Sequence, residues 1–118
     1  MTHLDMAVDS FLQNGKLDMG EDFKIIFDKP PTEHELKEIF WEQDILYLVK
    51  FTYNYSEKDW DQAEMKFESP GGFTNQQFLD AVCESEKHFR QDRPDENHVF
   101  LEAISIVGPN RISVFWGS

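Results

Sequence analysis

The sequence predicts an α+β fold: a mostly antiparallel sheet of about five strands, with two or three helices packed mainly on one face. Three observations carry that expectation. Segments with a two-residue apolar period outnumber those with a helical period. Two Thr residues each stand as caps before a helical pattern, and short polar turns separate the alternating segments, as antiparallel pairing requires. A length of 118 residues suits one domain over residues 1–118. The 11 Phe, 3 Trp and 3 Tyr supply the apolar surface that an unfolded acidic tail lacks.

Taken in chain order, residues 1–14 read as an amphipathic helix, because Leu4, Val8, Phe11 and Leu12 share one helical face, and Asn14-Gly15 is its stop. Residues 16–22 are polar and read as a connection. Phe23, Ile25 and Phe27 alternate with their neighbours as in a strand, which Pro30-Pro31 ends. Thr32 and Glu35 form a capping-box pair for a second helix, whose buried stripe would be Leu36, Ile39 and Phe40. Ile45, Tyr47, Val49, Phe51, Tyr53 and Tyr55 then line one side of a long strand, with Lys50, Thr52 and Asn54 on the other. After the turn SEKDW, Ala63, Met65 and Phe67 alternate with Glu64, Lys66 and Glu68 in a returning strand, so the two make a hairpin.

SPGG breaks the pattern, and Thr74 with Gln77 repeats the cap-plus-three spacing, flanked by Phe73 and Phe78 as a hydrophobic staple. A third helix is expected over residues 75–90, burying Phe78, Val82 and Phe89. Strands over residues 98–107 and 111–116, joined at Gly108-Pro109-Asn110, complete the chain. The middle of this order is βαββαβ, which suggests a ferredoxin-like arrangement with an N-terminal helix and an extra C-terminal hairpin strand. A meander with the last hairpin at one edge is the alternative.

The balance of charge restricts function. With 23 Asp and Glu against 11 Lys and Arg, a net charge of -12 opposes nucleic acid and anionic membrane surfaces. The longest apolar run, residues 45–49, falls far short of the roughly 20 residues of a membrane span. The N-terminus lacks the basic and apolar regions of a secretory signal, and a single cysteine, Cys83, forms no internal disulfide, so a cytoplasmic protein is expected.

No motif commits the chain to catalysis. HELKE, from His34 to Glu38, has the spacing of a zinc-binding helix, but Glu38 stands where the second histidine belongs. The four histidines, His3, His34, His88 and His98, lie in separate segments. The carboxylate pairs Glu42/Asp44, Asp59/Asp61 and Asp92/Asp95 are what 23 acidic residues produce by chance. Pro70-Gly71-Gly72 lacks the Lys-Ser/Thr ending of a phosphate loop. A non-enzymatic protein without metal or cofactor is therefore expected.

What remains is the surface. Nine carboxylates face three lysines over residues 18–44, and five face three basic residues over residues 84–96. Such a surface, bordered by aromatics such as Trp41, Trp60 and Tyr55, suits an acidic interaction protein that neutralises or regulates a basic protein partner, in the manner of immunity proteins, antitoxins or DNA mimics. Trp41, Glu42, Asp44, Trp60 and Asp61 are the expected partner-binding residues. Two alternatives are a small ligand-binding domain or enzyme with a pocket between sheet and helices lined by His98, Glu102 and Tyr53, and a homo-oligomeric structural protein, such as a homodimer. The second follows from the last long strand, where Phe100, Ile104 and Ile106 compete with Val99, Leu101, Ala103 and Val107 for the core.

Overall fold

The computed structural model describes residues 4–7, 15–20, 23–91 and 98–117. Its elements are β1 (Leu4–Ala7), β2 (Gly15–Asp18), β3 (Lys24–Phe27), α1 (Glu33–Lys37), β4 (Ile39–Trp41), β5 (Ile45–Asn54), β6 (Asp59–Glu68), β7 (Phe73–Thr74), α2 (Asn75–Phe89), β8 (Phe100–Gly108) and β9 (Arg111–Gly117). The α+β class with a dominant sheet and helices in the minority is as expected. The sheet is larger than expected, with seven strands in the order β3-β2-β8-β9-β5-β6 and β1 also paired to β8, while β4 and β7 form a separate two-stranded sheet. Every pair is antiparallel except β5 with β9.

Several local expectations require correction. Leu4–Ala7 is a strand, not a helix, paired from Leu4↔Ile106 to Ala7↔Ala103. Residues 8–14 of that expected helix lie outside the described residues, as do Asp92 and Asp95. The polar connection contains β2, whose Leu17 is 1% exposed. The second helix stops at Lys37, and Ile39 and Phe40 belong to β4, with Ile39 exposed on the surface. Among the described residues there are two helices. The strand order is not that of a ferredoxin-like βαββαβ unit, because β3 stands at an edge and neighbours neither β6 nor β8, and it is not the alternative meander, because the last hairpin, β8-β9, sits in the middle of the sheet.

Both cap predictions hold. Thr32 Oγ1 accepts from the Glu35 amide and Glu35 Oε1 from the Thr32 amide, at 3.1 and 2.9 Å. That bond from the Thr32 backbone holds the Glu35 carboxyl below its usual range, with help from the Thr32 side chain. Thr74 and Gln77 form the same reciprocal pair at the start of α2. Asn75 locks the two helices together, its amide donating to Glu38 O at 2.8 Å and its Nδ2 to Glu35 O at 2.7 Å.

The core lies between α2 and the sheet. Phe78, Leu79, Ala81 and Val82 of the helix meet Leu46 and Leu48 of β5, Leu101 and Ile104 of β8, and Ile112 of β9. Phe40 stacks on Phe78 with ring centroids 3.8 Å apart. Leu101 and Ile104 both reach this core although they are three residues apart, because a register shift between Leu101 and Ala103 sets an extra residue into the strand. That bulge is why β8 reads as apolar on both sides. Cys83 is partly buried, and burial pushes its thiol up to about 11.

Candidate interaction surface

The hairpin β5-β6 positions the most conspicuous surface groups. Its ladder runs without interruption from Ile45↔Glu68 to Asn54↔Asp59. Residues opposite one another share a face. Leu46, Leu48, Lys50, Thr52 and Asn54 therefore occupy one side with Phe67, Met65, Ala63, Asp61 and Asp59. Tyr47, Val49, Phe51 and Tyr53 occupy the other with Lys66, Glu64, Gln62 and Trp60. The core takes the first side, through Leu46 and Leu48, so the aromatic row of β5 faces away from α2.

Beyond Lys50 the hairpin becomes an arm. The six residues Asp59 to Glu64 are all exposed, and Phe51 and Tyr53 remain well exposed. Tyr53 is the hub of an aromatic cluster at the tip, meeting Tyr55 edge-on at 4.8 Å and Trp60 at 5.3 Å between ring centroids. Trp60 is 62% exposed and Tyr55 84%. Glu57 and Lys58 stand in the turn, while Asp59 and Asp61 flank Trp60 along β6 with their side chains on the opposite face, that of Thr52 and Asn54. Asn54 shapes the turn, its Oδ1 accepting from the Ser56 and Glu57 amides at 3.0 and 3.1 Å and its Nδ2 donating to Asp61 Oδ2 at 3.3 Å. Lys58 carries the left-handed backbone, with φ of 54°.

The expected partner-binding residues divide between the two ends of this hairpin. Trp60 and Asp61 belong to the tip. Trp41, Glu42 and Asp44 lie at its base, about 25 Å away by strand rise. Two of those three have structural duties. Trp41 packs against the core, and its Nε1 donates to Ile45 O at 3.0 Å. Asp44 Oδ1 accepts from the Gly71 amide at 2.9 Å, and its carbonyl from the Ser69 amide at 2.8 Å. The Pro-Gly-Gly turn thus spends an amide on Asp44. Gly72, with φ of 100°, passes so near Trp41 that a Cβ would stand 2.5 Å from its carbonyl oxygen. Glu42 alone of the basal group is simply exposed. Phe51 and Tyr53 are exposed residues of the arm that lie outside the expected set, on the face turned away from α2.

A cleft of about 380 Å³ opens beside the arm. The parallel pairing of β5 with β9 ends at Val49↔Ser113, although both strands continue. Lys50 to Tyr53 line one wall and Ser113 to Trp116 the other, with Arg90 and His98 at the end. Tyr53 and His98, two of the three residues expected to line a pocket, are here; Glu102 is not. Beneath the cleft, Glu86 joins Lys50 at 3.1 Å and Arg90 at 3.2 Å, and its side chain is 4% exposed. Arg90 also donates to His98 O at 2.8 Å and lies 5.3 Å over the Trp116 ring. These bonds hold the cleft's cations in a structural network.

Elsewhere, His34 and Glu38 pair at 3.4 Å on the open surface of α1, which accounts for their spacing. Among the described residues, no group of three or more His, Cys, Asp or Glu could hold a metal ion, and no helix is long and apolar enough to cross a membrane. No known family model, no curated protein and no solved structure matches the chain.

Proposed function

We propose that the protein is a non-enzymatic interaction module that binds a basic protein partner and neutralises or regulates it, with the arm of β5-β6 as the principal contact. The observation that carries this reading is the exposed Tyr53-Tyr55-Trp60 cluster on one face of the tip, with Asp59 and Asp61 on the other face and Glu57 in the turn between. Exposed aromatics of this size anchor interfaces by filling pockets in a partner, and carboxylates around them accelerate encounter with a positive surface. The net charge of -12 supports an immunity-, antitoxin- or DNA-mimic-like role within this reading. Within this reading Trp60 and Asp61 belong to the contact, while Trp41 and Asp44 support the fold at its base.

The test begins with affinity capture at low salt and ends with purified components. A basic partner should associate about tenfold more slowly when salt is raised, as steered encounters do. The double reversal Asp59→Lys/Asp61→Lys should slow association, and Trp60→Ala should hasten dissociation. Unchanged rates in both variants would overturn the assignment of the surface.

The cleft favours a second reading, a small-ligand site, because Tyr53 and His98 converge on a concavity of about 380 Å³. A fragment screen followed by NMR separates the two. Shifts clustered on Phe51, His98 and Trp116 would support a ligand site, and their absence would eliminate it.

A further inference from the structure

The outer edge of β6 extends the interaction reading from a surface to a mode of binding. β6 ends the strand order, and among the described residues it pairs only with β5. The phase of that ladder follows from two bonds. The Ser69 amide donates to Asp44 O at 2.8 Å, and the Tyr47 amide donates away from β6, to Asn110 O at 2.7 Å. Since alternate residues along a strand aim their N–H and C=O at opposite neighbours, Asp59, Asp61, Ala63, Met65 and Phe67 pair with β5. Trp60, Gln62, Glu64 and Lys66 aim theirs outward.

The outward amide of Trp60 is met by Asp59 Oδ1 at 2.8 Å. No described residue meets those of Gln62, Glu64 and Lys66. Both faces of this edge are open, because residues 59 to 64 are exposed without alternation. Natural edges are commonly protected by charge. Here the charge left over is acidic: Glu64 is paired with Arg111 at 3.1 Å and Glu68 with Lys66 at 2.9 Å, while among the described residues no cation pairs with Asp59 or Asp61. That arrangement repels a second copy of β6 and attracts a basic strand.

We propose that the outer edge of β6, from Trp60 to Lys66, accepts an extended basic segment of the partner as an added strand, with Trp60 as the anchor at the tip end. The proposal rests on the basic-partner reading above. Main-chain bonds from Gln62, Glu64 and Lys66 would hold the segment, and Asp59 and Asp61 would select basic side chains on the face they share.

The probe is a ten-residue peptide of alternating Lys and Thr, with alternating Glu and Thr as its control, added to the full chain at low salt. NMR-detected hydrogen exchange at the Gln62, Glu64 and Lys66 amides should slow by about tenfold or more with the Lys peptide and remain unchanged with the Glu peptide. Gln62→Pro should abolish that binding while the inward amides of Leu48 and Lys50 stay protected, because proline at an outward edge position removes only a free donor. A Lys peptide N-methylated on one set of alternate residues should also fail, while methylation of the other set is tolerated; this arm needs no change in the protein. Binding that leaves the three amides unprotected, or that survives both methylation patterns, overturns the edge proposal but leaves the basic-partner reading standing. Protection that rises with protein concentration alone makes a second copy the occupant and also overturns it. No binding of the Lys peptide at millimolar concentration defeats the edge, and loss of salt-dependent capture in the earlier experiment is what defeats the partner reading.

Discussion

The two halves of the β5-β6 hairpin share one ladder and differ in what covers them. In the basal half, Leu46 and Leu48 are 0% and 2% exposed beneath α2. In the distal half, the same face carries Thr52 and Asn54, opposite face aromatics remain exposed, and the returning strand is open on both sides. Lys50 marks the border, where its Nζ reaches Glu86 near the end of the helix. A 15-residue helix covers about 22 Å, less than the roughly 33 Å of a ten-residue strand, so part of the hairpin must project or find another cover. The lesson is that the buried core and the open surface occupy different stretches of the same two strands.

That division is broken most directly from the basal side. Phe78 is 1% exposed and stacked on Phe40, so Phe78→Ala leaves a cavity at the centre of the core. We expect a loss of about 3–5 kcal/mol in urea unfolding, with the whole ladder melting together. A loss under about 1 kcal/mol would show that α2 does not hold the basal half. Next comes the border. Glu86→Gln leaves Lys50 and Arg90 without their shared carboxylate in a buried setting, at an expected cost of about 3 kcal/mol. Hydrogen exchange should then quicken at Thr52 and Asn54 before it does at Leu46, if the ion network is what ties the arm to the body.

The parts of this architecture that were legible in the sequence are the local ones. Each capping box is contained in four residues, and the hairpin closes across the four-residue turn from Tyr55 to Lys58. The N-terminal strand was illegible because its partner is about a hundred residues away: Leu4 pairs with Ile106, and nothing near Leu4 announces it. β2 has one buried apolar residue, Leu17, between Lys16 and Asp18, too short an alternation to separate from a loop. The bulge at Glu102 switched the inward side of β8 halfway along, so one strand looked like two competing faces. The exposure of the expected contact residues was half legible. Trp60 and Asp61 are exposed where they adjoin a turn, whereas Trp41 looked equally available until β4 paired with β7 and brought the Pro-Gly-Gly turn against it. Aromatic alternation continues unchanged from Tyr47 to Tyr53, so no local signal marks where cover ends.

A smaller effect tests the helix itself. Thr74→Ala deletes the cap acceptor of the Gln77 amide while leaving every core contact in place, and should cost about 1 kcal/mol. The loss should be felt in the basal half, as a lower urea midpoint with an unchanged slope.

The smallest expected change in stability lies at the tip, and it separates the two halves most sharply. Tyr53 and Trp60 are a non-hydrogen-bonded pair of the ladder, the geometry in which side chains across an antiparallel pair approach most closely. Their edge-on contact at 5.3 Å is worth about 0.5–1.5 kcal/mol beyond simple burial. Trp60→Ala removes that contact from a ring already mostly in water, so global unfolding should shift by about 1 kcal/mol or less, while partner dissociation quickens by about tenfold or more. Tyr55→Ala is the internal comparison, since Tyr55 touches Tyr53 but stands in the turn, outside the ladder. A Trp60→Ala protein that loses several kcal/mol and keeps its partner would reverse the assignment, making the tip a structural clasp.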